Sequence, residues 1–424
     1  MTLQERDKAV IWHPFTPFKN SPVPIPVIKG EDAYLIDEQG NRYLDAISSW
    51  WVTLHGHAHP YIAQKIYQQA LTLEQVIFAG FTHQPAIELA ERLLKILPGN
   101  FSKVFYSDNG STSTEVALKM ALQYWWNKDD KATRKRKIIA FNNSYHGDTF
   151  GAMSVSDRSV FTLAFHEKLF EVIFIDTPTI NNLQQHQLFI QDNSNEIAAF
   201  IYEPLVQGAG GMKMYDACLL NQLLITCKQK HIICIADEVM TGFGRTGKRF
   251  ASEYCSTLPD IICLSKGLTG GTMALGVTAV APFIVAAFDS EDKLKTFFHG
   301  HSFTANPLAC TAANASLDLF EIPTCQKAID TIVQQNKEWV SQLLTKNLPV
   351  KDVRQLGTIV AFEIDKGKTE YLNTIAALIT KKGLEKGIYI RPLGNTVYIM
   401  PPYCISSTAL QHLQQIIIEL IAEC

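Results

Sequence analysis

Six short apolar runs, separated by stretches of helical pattern, recur between residues 103 and 264 and set the architecture. They are Lys103-Val104-Phe105-Tyr106, Ile138-Ile139-Ala140-Phe141, Val172-Ile173-Phe174-Ile175, Ala198-Ala199-Phe200-Ile201-Tyr202, Ile232-Ile233-Cys234-Ile235-Ala236 and Ile261-Ile262-Cys263-Leu264. Such alternation predicts an α/β fold, a mostly parallel sheet covered by helices on both faces, in a large domain over about residues 51–320. Residues 1–50 are proline-rich at Pro14, Pro17, Pro22, Pro24 and Pro26, then hairpin-like around Tyr34-Leu35-Ile36 and Asn41-Arg42-Tyr43-Leu44. They read as an N-terminal arm belonging to a smaller domain. From 321 to 424 helices interleave with strands such as Thr358–Glu363 and Val397–Met400, closing with a helix near 407–422, which predicts a smaller α+β domain.

In open α/β sheets ligands bind beyond the carboxyl ends of the strands, so the residues after each run carry the functional information. After Tyr106 comes Ser107-Asp108-Asn109-Gly110-Ser111, then a helical pattern with Ala117, Met120, Ala121 and Tyr124. A glycine turn opening a helix offers free N–H groups to an anion, although Gly-Ser there also serves as an ordinary cap. After Phe141, Tyr145 and Asp148 bring an aromatic ring and an acid to the same crevice. After Ala236 stand Asp237 and Glu238, carboxylates at the end of an apolar strand, where a charge is costly without a partner. After Ser265 stands Lys266, followed by Gly267-Leu268-Thr269-Gly270-Gly271; a lysine there can form a Schiff base if burial lowers its pKa. Each signal alone is weak. Together, an anion cradle, a ring platform, a carboxylate for a pyridinium and an amine tether are the parts that pyridoxal 5′-phosphate (PLP) requires.

Competing readings fit less well. Gly242-Phe243-Gly244-Arg245-Thr246-Gly247-Lys248-Arg249 matches G-x-G-x-x-G and nearly a P-loop. However, Arg249 stands where a P-loop needs Ser or Thr, and Asp237–Thr241 separate the glycines from their strand. The His55-x-His57-x-His59 spacing lacks a nearby Cys or carboxylate ligand, so it reads as structural rather than as a metal site. A net charge of −3 gives no footprint for nucleic acid, and Arg134-Lys135-Arg136-Lys137 reads as a solvated loop entering a strand. Gly267–Phe288 carries no charge over a bilayer-spanning length, but Gly270, Gly271, Gly276 and Pro282 break it. It reads as a strand-loop-strand passage through a buried core, with no membrane role. Nine cysteines, an odd number with no C-x-x-C pair, argue for reduced thiols and a cytoplasmic address, and the charged N-terminus does not read as a targeting segment.

Taken together, IWHPFT (11–16), SSWW (48–51), DNGSTSTEVALKMALQYW (108–125), YHGDTFGAMSV (145–155), EPLVQGAGGMKMY (203–215), IADEVMTGFGRTGK (235–248), LSKGLTGG (264–271), HGHSFTANPLAC (299–310) and IRPLGNTVYIMPPY (390–403) resemble the class III aminotransferases of PLP-dependent transferase fold type I over essentially the whole chain. The paired tryptophans, YHGDTFGAMSV and the final motif are most similar to members acting in biotin biosynthesis. The resemblance implies transamination of 8-amino-7-oxononanoate to 7,8-diaminononanoate, with S-adenosylmethionine or lysine as amino donor. Another ω-aminotransferase of the ornithine, 4-aminobutyrate or β-alanine kind is the alternative.

It further implies that Lys266 tethers the cofactor and acts as general base, while Asp237 keeps the ring nitrogen protonated. Tyr145 and Val239 would flank the ring and Gly110 and Ser111 would hold the phosphate. Gly300, His301 and Ser302 would reach into the neighbouring subunit's site, making a homodimer with shared active sites. Trp50 and Trp51 would wall the substrate pocket, Arg391 would take a carboxylate by a two-point salt bridge, and Arg245 and Asp148 would contribute to recognition. Two positions depart from the family pattern. Phe15 stands where the family has a tyrosine beside its substrates, and His301-Ser302 replaces Pro-Thr.

Overall fold

The computed structural model describes residues 1–19, 21–128, 135–365 and 374–423; Arg134 and Cys424 lie outside them. The chain begins with the helix Leu3–Val10, started by a reciprocal capping box between Thr2 and Glu5. An antiparallel meander follows, β1 (Val27–Glu31), β2 (Tyr34–Asp37) and β3 (Arg42–Asp45). Then come β4 (Lys103–Ser107), β5 (Lys137–Phe141), β6 (Ile173–Ile175), β7 (Ile197–Tyr202), a small hairpin of β8 (Val206–Gln207) and β9 (Lys213–Met214), β10 (Ile233–Asp237), β11 (Ile261–Leu264) and β12 (Gly276–Val280). Seven of these form the central sheet in the order β4-β12-β11-β10-β7-β5-β6.

Every strand of that sheet except β12 points the same way. β12 runs antiparallel to both neighbours, with Gly276 opposite Ser107 and Leu264 opposite Val277. The uncharged stretch 267–288 therefore differs from the expected strand-loop-strand: it holds a 3₁₀ turn Lys266–Thr269, the single strand β12 and a short helix Pro282–Ala286. All of β12 is buried between β4 and β11, which accounts for its lack of charge. The helix Gly110–Lys128 packs Val116, Ala117, Met120, Ala121 and Tyr124 into the core, the spacing read from the sequence. A fully buried aliphatic or aromatic side chain of this kind contributes roughly 1.5–3 kcal/mol relative to exposure.

The C-terminal part contains β13 (Val350–Leu356), β14 (Ile359–Ile364), β15 (Ile388–Tyr389) and β16 (Thr396–Ile399). β13, β14 and β16 form an antiparallel sheet, covered by the helices Pro323–Thr345 and Ser407–Ala422. β15 instead joins the N-terminal meander, parallel to β3 with Ile388 opposite Leu44. The first fifty residues and the last forty are thereby tied into one sheet. One basic residue departs from the solvated loop expected of it. The Lys135 ammonium caps the carbonyls of Ile197, Lys230 and His231 and lies 4.6 Å from the Trp125 ring centre.

The β13–β14 turn is pressed against the Arg245–Gly247 segment of the large sheet's loops. Thr358 N–H donates to the Arg245 carbonyl at 2.9 Å, and a Cβ on Gly357, which has φ +58°, would lie 2.1–2.6 Å from the backbone of Arg245, Thr246 and Gly247. Both the left-handed backbone and the contact demand glycine there. Gly357→Ala is expected to cost about 2–4 kcal/mol, read as a lowered guanidinium unfolding midpoint. An unchanged midpoint would show that this contact does not hold the two parts together.

Candidate active site

The carboxyl ends of β4, β5, β7, β10 and β11 open into one cavity of about 710 Å³. Gly110, Ser111, Tyr145, Asp148, Asp237, Val239, Lys266 and Trp51 all line it, so residues up to 215 positions apart meet in one space. Two glycines make the cradle possible. A Cβ on Gly110 would come within 2.8 Å of Val239 Cγ1, and one on Gly147, at φ +130°, would lie 2.2 Å from Ser111 Oγ. Ser111 Oγ accepts the Asp148 N–H at 3.0 Å, locking the β5 loop onto the start of the helix Gly110–Lys128. The first N–H groups of a helix have no partner within it, and these two residues present them at the cavity wall.

Asp237 ends β10, buried at 5% exposure, and its charge is answered inside the protein. One carboxylate oxygen bonds His146 Nδ1 at 2.7 Å and the other accepts the Val239 N–H at 3.1 Å. His146 is itself buried, and its Nε2 has no hydrogen-bond partner. Beside them Glu203, just past β7, accepts the N–H of Tyr145 at 3.1 Å and of Gly208 at 2.9 Å. Burial raises its carboxyl to about 7, opposed by His146. Neither His146 nor Glu203 was singled out from the sequence. The signal for Glu203 was present, an acid at the end of an all-apolar strand like Asp237.

Lys266 opens the turn after β11 in a left-handed conformation, φ +39°, with its Nζ 4.5 Å from the Trp51 ring centre. Burial lowers its amine to about 8, and Asp237 and Glu203 oppose that shift. Burial, then Asp148, pushes the Tyr145 phenol above its ordinary range. A depressed lysine facing a buried aspartate across a cavity with a glycine-cleared helix start fits PLP: Lys266 for the tether, Asp237 for the ring nitrogen, Gly110 and Ser111 for the phosphate.

Trp50 and Trp51 belong to the short helix Ser48–Trp51, whose φ angles are all positive at 51°, 47°, 74° and 74°. It is a single left-handed turn, costing roughly 1–2 kcal/mol per residue. Ser48 Oγ to the Met400 carbonyl (2.6 Å), Ser49 Oγ to Asp45 (2.9 Å) and Trp51 Nε1 to Tyr398 Oη (2.9 Å) hold it in place. Trp50 meets Phe15 edge-on at 5.4 Å, and the Arg391 guanidinium lies 5.0 Å over the Trp50 ring. Arg245 stands behind this wall. It is 1% exposed, and its guanidinium donates to the carbonyls of Trp51, Thr53 and Pro401, so it braces the tryptophan turn from outside the cavity. The glycine-rich segment around it is a buried turn, with the Gly244 N–H on the Arg249 carbonyl, rather than a strand-to-helix phosphate loop.

Gly300, His301 and Ser302 are absent from the walls of the cavity of their own chain. They lie on a loop where Ser302 is exposed and its carbonyl accepts from Gln75, between the exposed rings of Phe298 and Phe303. His55 bonds Ser316 and His57 bonds Asp45, both at 3.0 Å, so two of the three spaced histidines have structural partners.

The model of the class-III aminotransferase family matches residues 16–421. The chain is 45% identical, over 97% of its length and 98% of the relative's, to adenosylmethionine-8-amino-7-oxononanoate aminotransferase of Synechococcus elongatus. The crystal structure of the aminotransferase of the same name from Methanocaldococcus jannaschii superposes with a TM-score of 0.95 at 35% identity, covering 100% of this chain and 99% of that one. An amine transaminase from an uncultivated Pseudomonas species, solved in its PLP-bound form, superposes with a TM-score of 0.90 at 28% identity over 98% of both chains.

The Glu203 carboxyl titrates in a range where the fold's stability can be followed. Its raised pKa favours the neutral acid in the folded state, so it contributes stability at low pH that is lost as the pH rises from 4.5 through about 7. Relative to Glu203→Gln, the wild type is expected to lose on the order of 3 kcal/mol across that window, read from unfolding midpoints. A difference between the two proteins that stays constant with pH would contradict the assignment.

Proposed function

Since the chain belongs to the class-III aminotransferases, we propose that it moves an amino group from S-adenosylmethionine to the ketone of 8-amino-7-oxononanoate, giving 7,8-diaminononanoate for biotin biosynthesis. The full-length relatives bearing that name support the substrates. The observation that carries the reaction type is Lys266, an amine lowered to about 8 in the same cavity as the buried Asp237. PLP is the cofactor; when bound, it supplies an electron sink that lets a proton leave the amine-bearing carbon.

The chain's own residues do the rest. Lys266 Nζ takes up the proton from that carbon and returns it, its depressed pKa raising the share of free amine near neutral pH above that of an ordinary lysine. Asp237, held by His146 and the Val239 N–H, presents a fixed anion to the cofactor's ring nitrogen. Tyr145 and Val239 bound the ring and Gly110 and Ser111 bind the phosphate. Trp50 and Trp51 exclude water from the reacting centre, and Arg391 receives the carboxylate of each substrate by a two-point salt bridge. Asp148 orients the Tyr145 hydroxyl. Arg245 acts through the tryptophan turn it braces. The exposed Gly300-His301-Ser302 loop completes the site of a second subunit, so the active form is a homodimer. No described helix is long and apolar enough to cross a membrane, and a cytoplasmic location fits a biosynthetic role.

Phe15 favours keeping one alternative in view. With no hydroxyl where the family's tyrosine stands, lysine could replace S-adenosylmethionine as donor, whereas the ω-aminotransferase alternative would change the acceptor. Single half-reactions followed by the cofactor's visible absorbance separate these. S-adenosylmethionine is expected to bleach the band and 8-amino-7-oxononanoate to restore it. Restoration only by the aldehydes of ornithine, 4-aminobutyrate or β-alanine would overturn the acceptor. Borohydride reduction and peptide mapping should place the pyridoxyl label on Lys266, and a label elsewhere would remove its role. Cofactor recapture by the cofactor-free protein should rise with pH to half-maximum near 8, following the free amine. A midpoint in the range of free lysine, about 10.4, would contradict the depressed pKa.

A further inference from the structure

Two further spaces adjoin the cavity that holds Lys266. The first, of about 400 Å³, is walled by Phe15, Trp50, Trp51, Phe161 and Leu393 and reaches Lys266, the only charged residue lining it among the described residues. An aliphatic chain of the acceptor's kind matches such a lining. The second, of about 340 Å³, lies behind it, and Tyr145, Phe161, Ala209 and Leu393 line both. One layer of side chains separates the two.

The second chamber has a different chemistry. Asp157, Ser159, Glu363, Asn395 and Thr396 bring carboxylates, hydroxyls and an amide to it, while Phe161 supplies an aromatic ring. Carboxylates accept from vicinal hydroxyls, an amide reads donor and acceptor edges, and a ring takes a stacked base. Two carboxylates, Asp157 and Glu363, line it, with no cation among the described lining residues. One Asp157 oxygen accepts the Asn143 N–H at 2.8 Å, and Lys213 holds the Asn143 side chain at 2.8 Å. Glu363 lies within electrostatic reach of Arg354, whose guanidinium is paired with Asp352 and fixed on the carbonyls of Gly211 and Met212. Carboxylates, hydroxyls and an amide beside an aromatic ring suit a group that combines several hydrogen-bonding atoms with a stackable face.

We infer that the chamber behind Phe161, lined by Asp157, Glu363, Asn395 and Thr396, is the subsite for the nucleoside portion of the amino donor. This rests on the donor proposed above and assigns Phe161 and Glu363 to donor selection. The acceptor, lying in the first chamber, does not use it.

The test uses the PLP-loaded enzyme, with adenosine as probe. Calorimetry is expected to show adenosine binding, and adenosine should compete with S-adenosylmethionine in the donor half-reaction. Glu363→Gln, which keeps shape and removes charge, should weaken adenosine binding and raise the half-saturating S-adenosylmethionine concentration by about tenfold. Val160→Trp, filling the same chamber from its rim, should do likewise. Both variants should leave the 8-amino-7-oxononanoate half-reaction unchanged. Absence of adenosine binding, or equal weakening of both half-reactions, overturns the subsite. If lysine rather than S-adenosylmethionine loads the amino group in the wild type, the subsite falls while the acceptor reading stands. If 8-amino-7-oxononanoate fails to restore the cofactor in the wild type, the proposed function itself fails, whatever adenosine does.

Discussion

The register between two parallel strands is the constraint from which the site follows. Asp237 lies opposite Cys263 in the β10–β11 pair, and Lys266 follows three residues later. A carboxylate and an amine thus leave adjacent strand ends into the same cavity, at the edge of a sheet that excludes water. Neither group is comfortable there alone. The lysine responds by losing affinity for its proton; the aspartate is answered by His146 and a backbone N–H. A slip of one residue in this pairing would turn the side chains of the shifted strand to the other face of the sheet and move the two groups out of alignment.

The remainder of the site is arranged around that pair at a conformational cost. Ser48–Trp51 forms a left-handed turn of non-glycine residues, and Lys266 and Phe15 also have positive φ. Such conformations persist only where the surroundings over-determine them. Hydrogen bonds from Ser48, Ser49 and Trp51 and the three carbonyl contacts of Arg245 supply that determination. Because two of those anchors, Met400 and Tyr398, belong to the C-terminal part, the tryptophan wall depends on both ends of the chain.

The sequence made the central strands legible because parallel strands buried on both faces are continuous apolar runs, and all six runs lie in the sheet. β12 escaped because Gly276-Val277-Thr278-Ala279-Val280 sits inside a longer uncharged stretch whose glycines suggested two strands and a loop. Gly110, Ser111, Tyr145, Asp237 and Lys266 could be picked out because each lies at the carboxyl end of its strand or in the segment that leaves it. His146 could not, since a histidine in a loop is indistinguishable from a structural one until its partner 91 positions away is known. Arg245 shows the converse: a conspicuous motif residue whose guanidinium serves the backbone. Lys135, one of four adjacent basic residues, likewise proved to cap carbonyls rather than face solvent.

The central claim is that Asp237, steadied by His146, fixes a proton on the cofactor's ring nitrogen beside Lys266. The ¹⁵N chemical shift of ring-labelled PLP bound to the wild type and to Asp237→Asn tests it most directly. The account predicts a protonated pyridinium shift in the wild type that persists across neutral pH and collapses to the neutral-pyridine value in the variant. A neutral-pyridine shift in the wild type, or the same shift in both proteins, would contradict it.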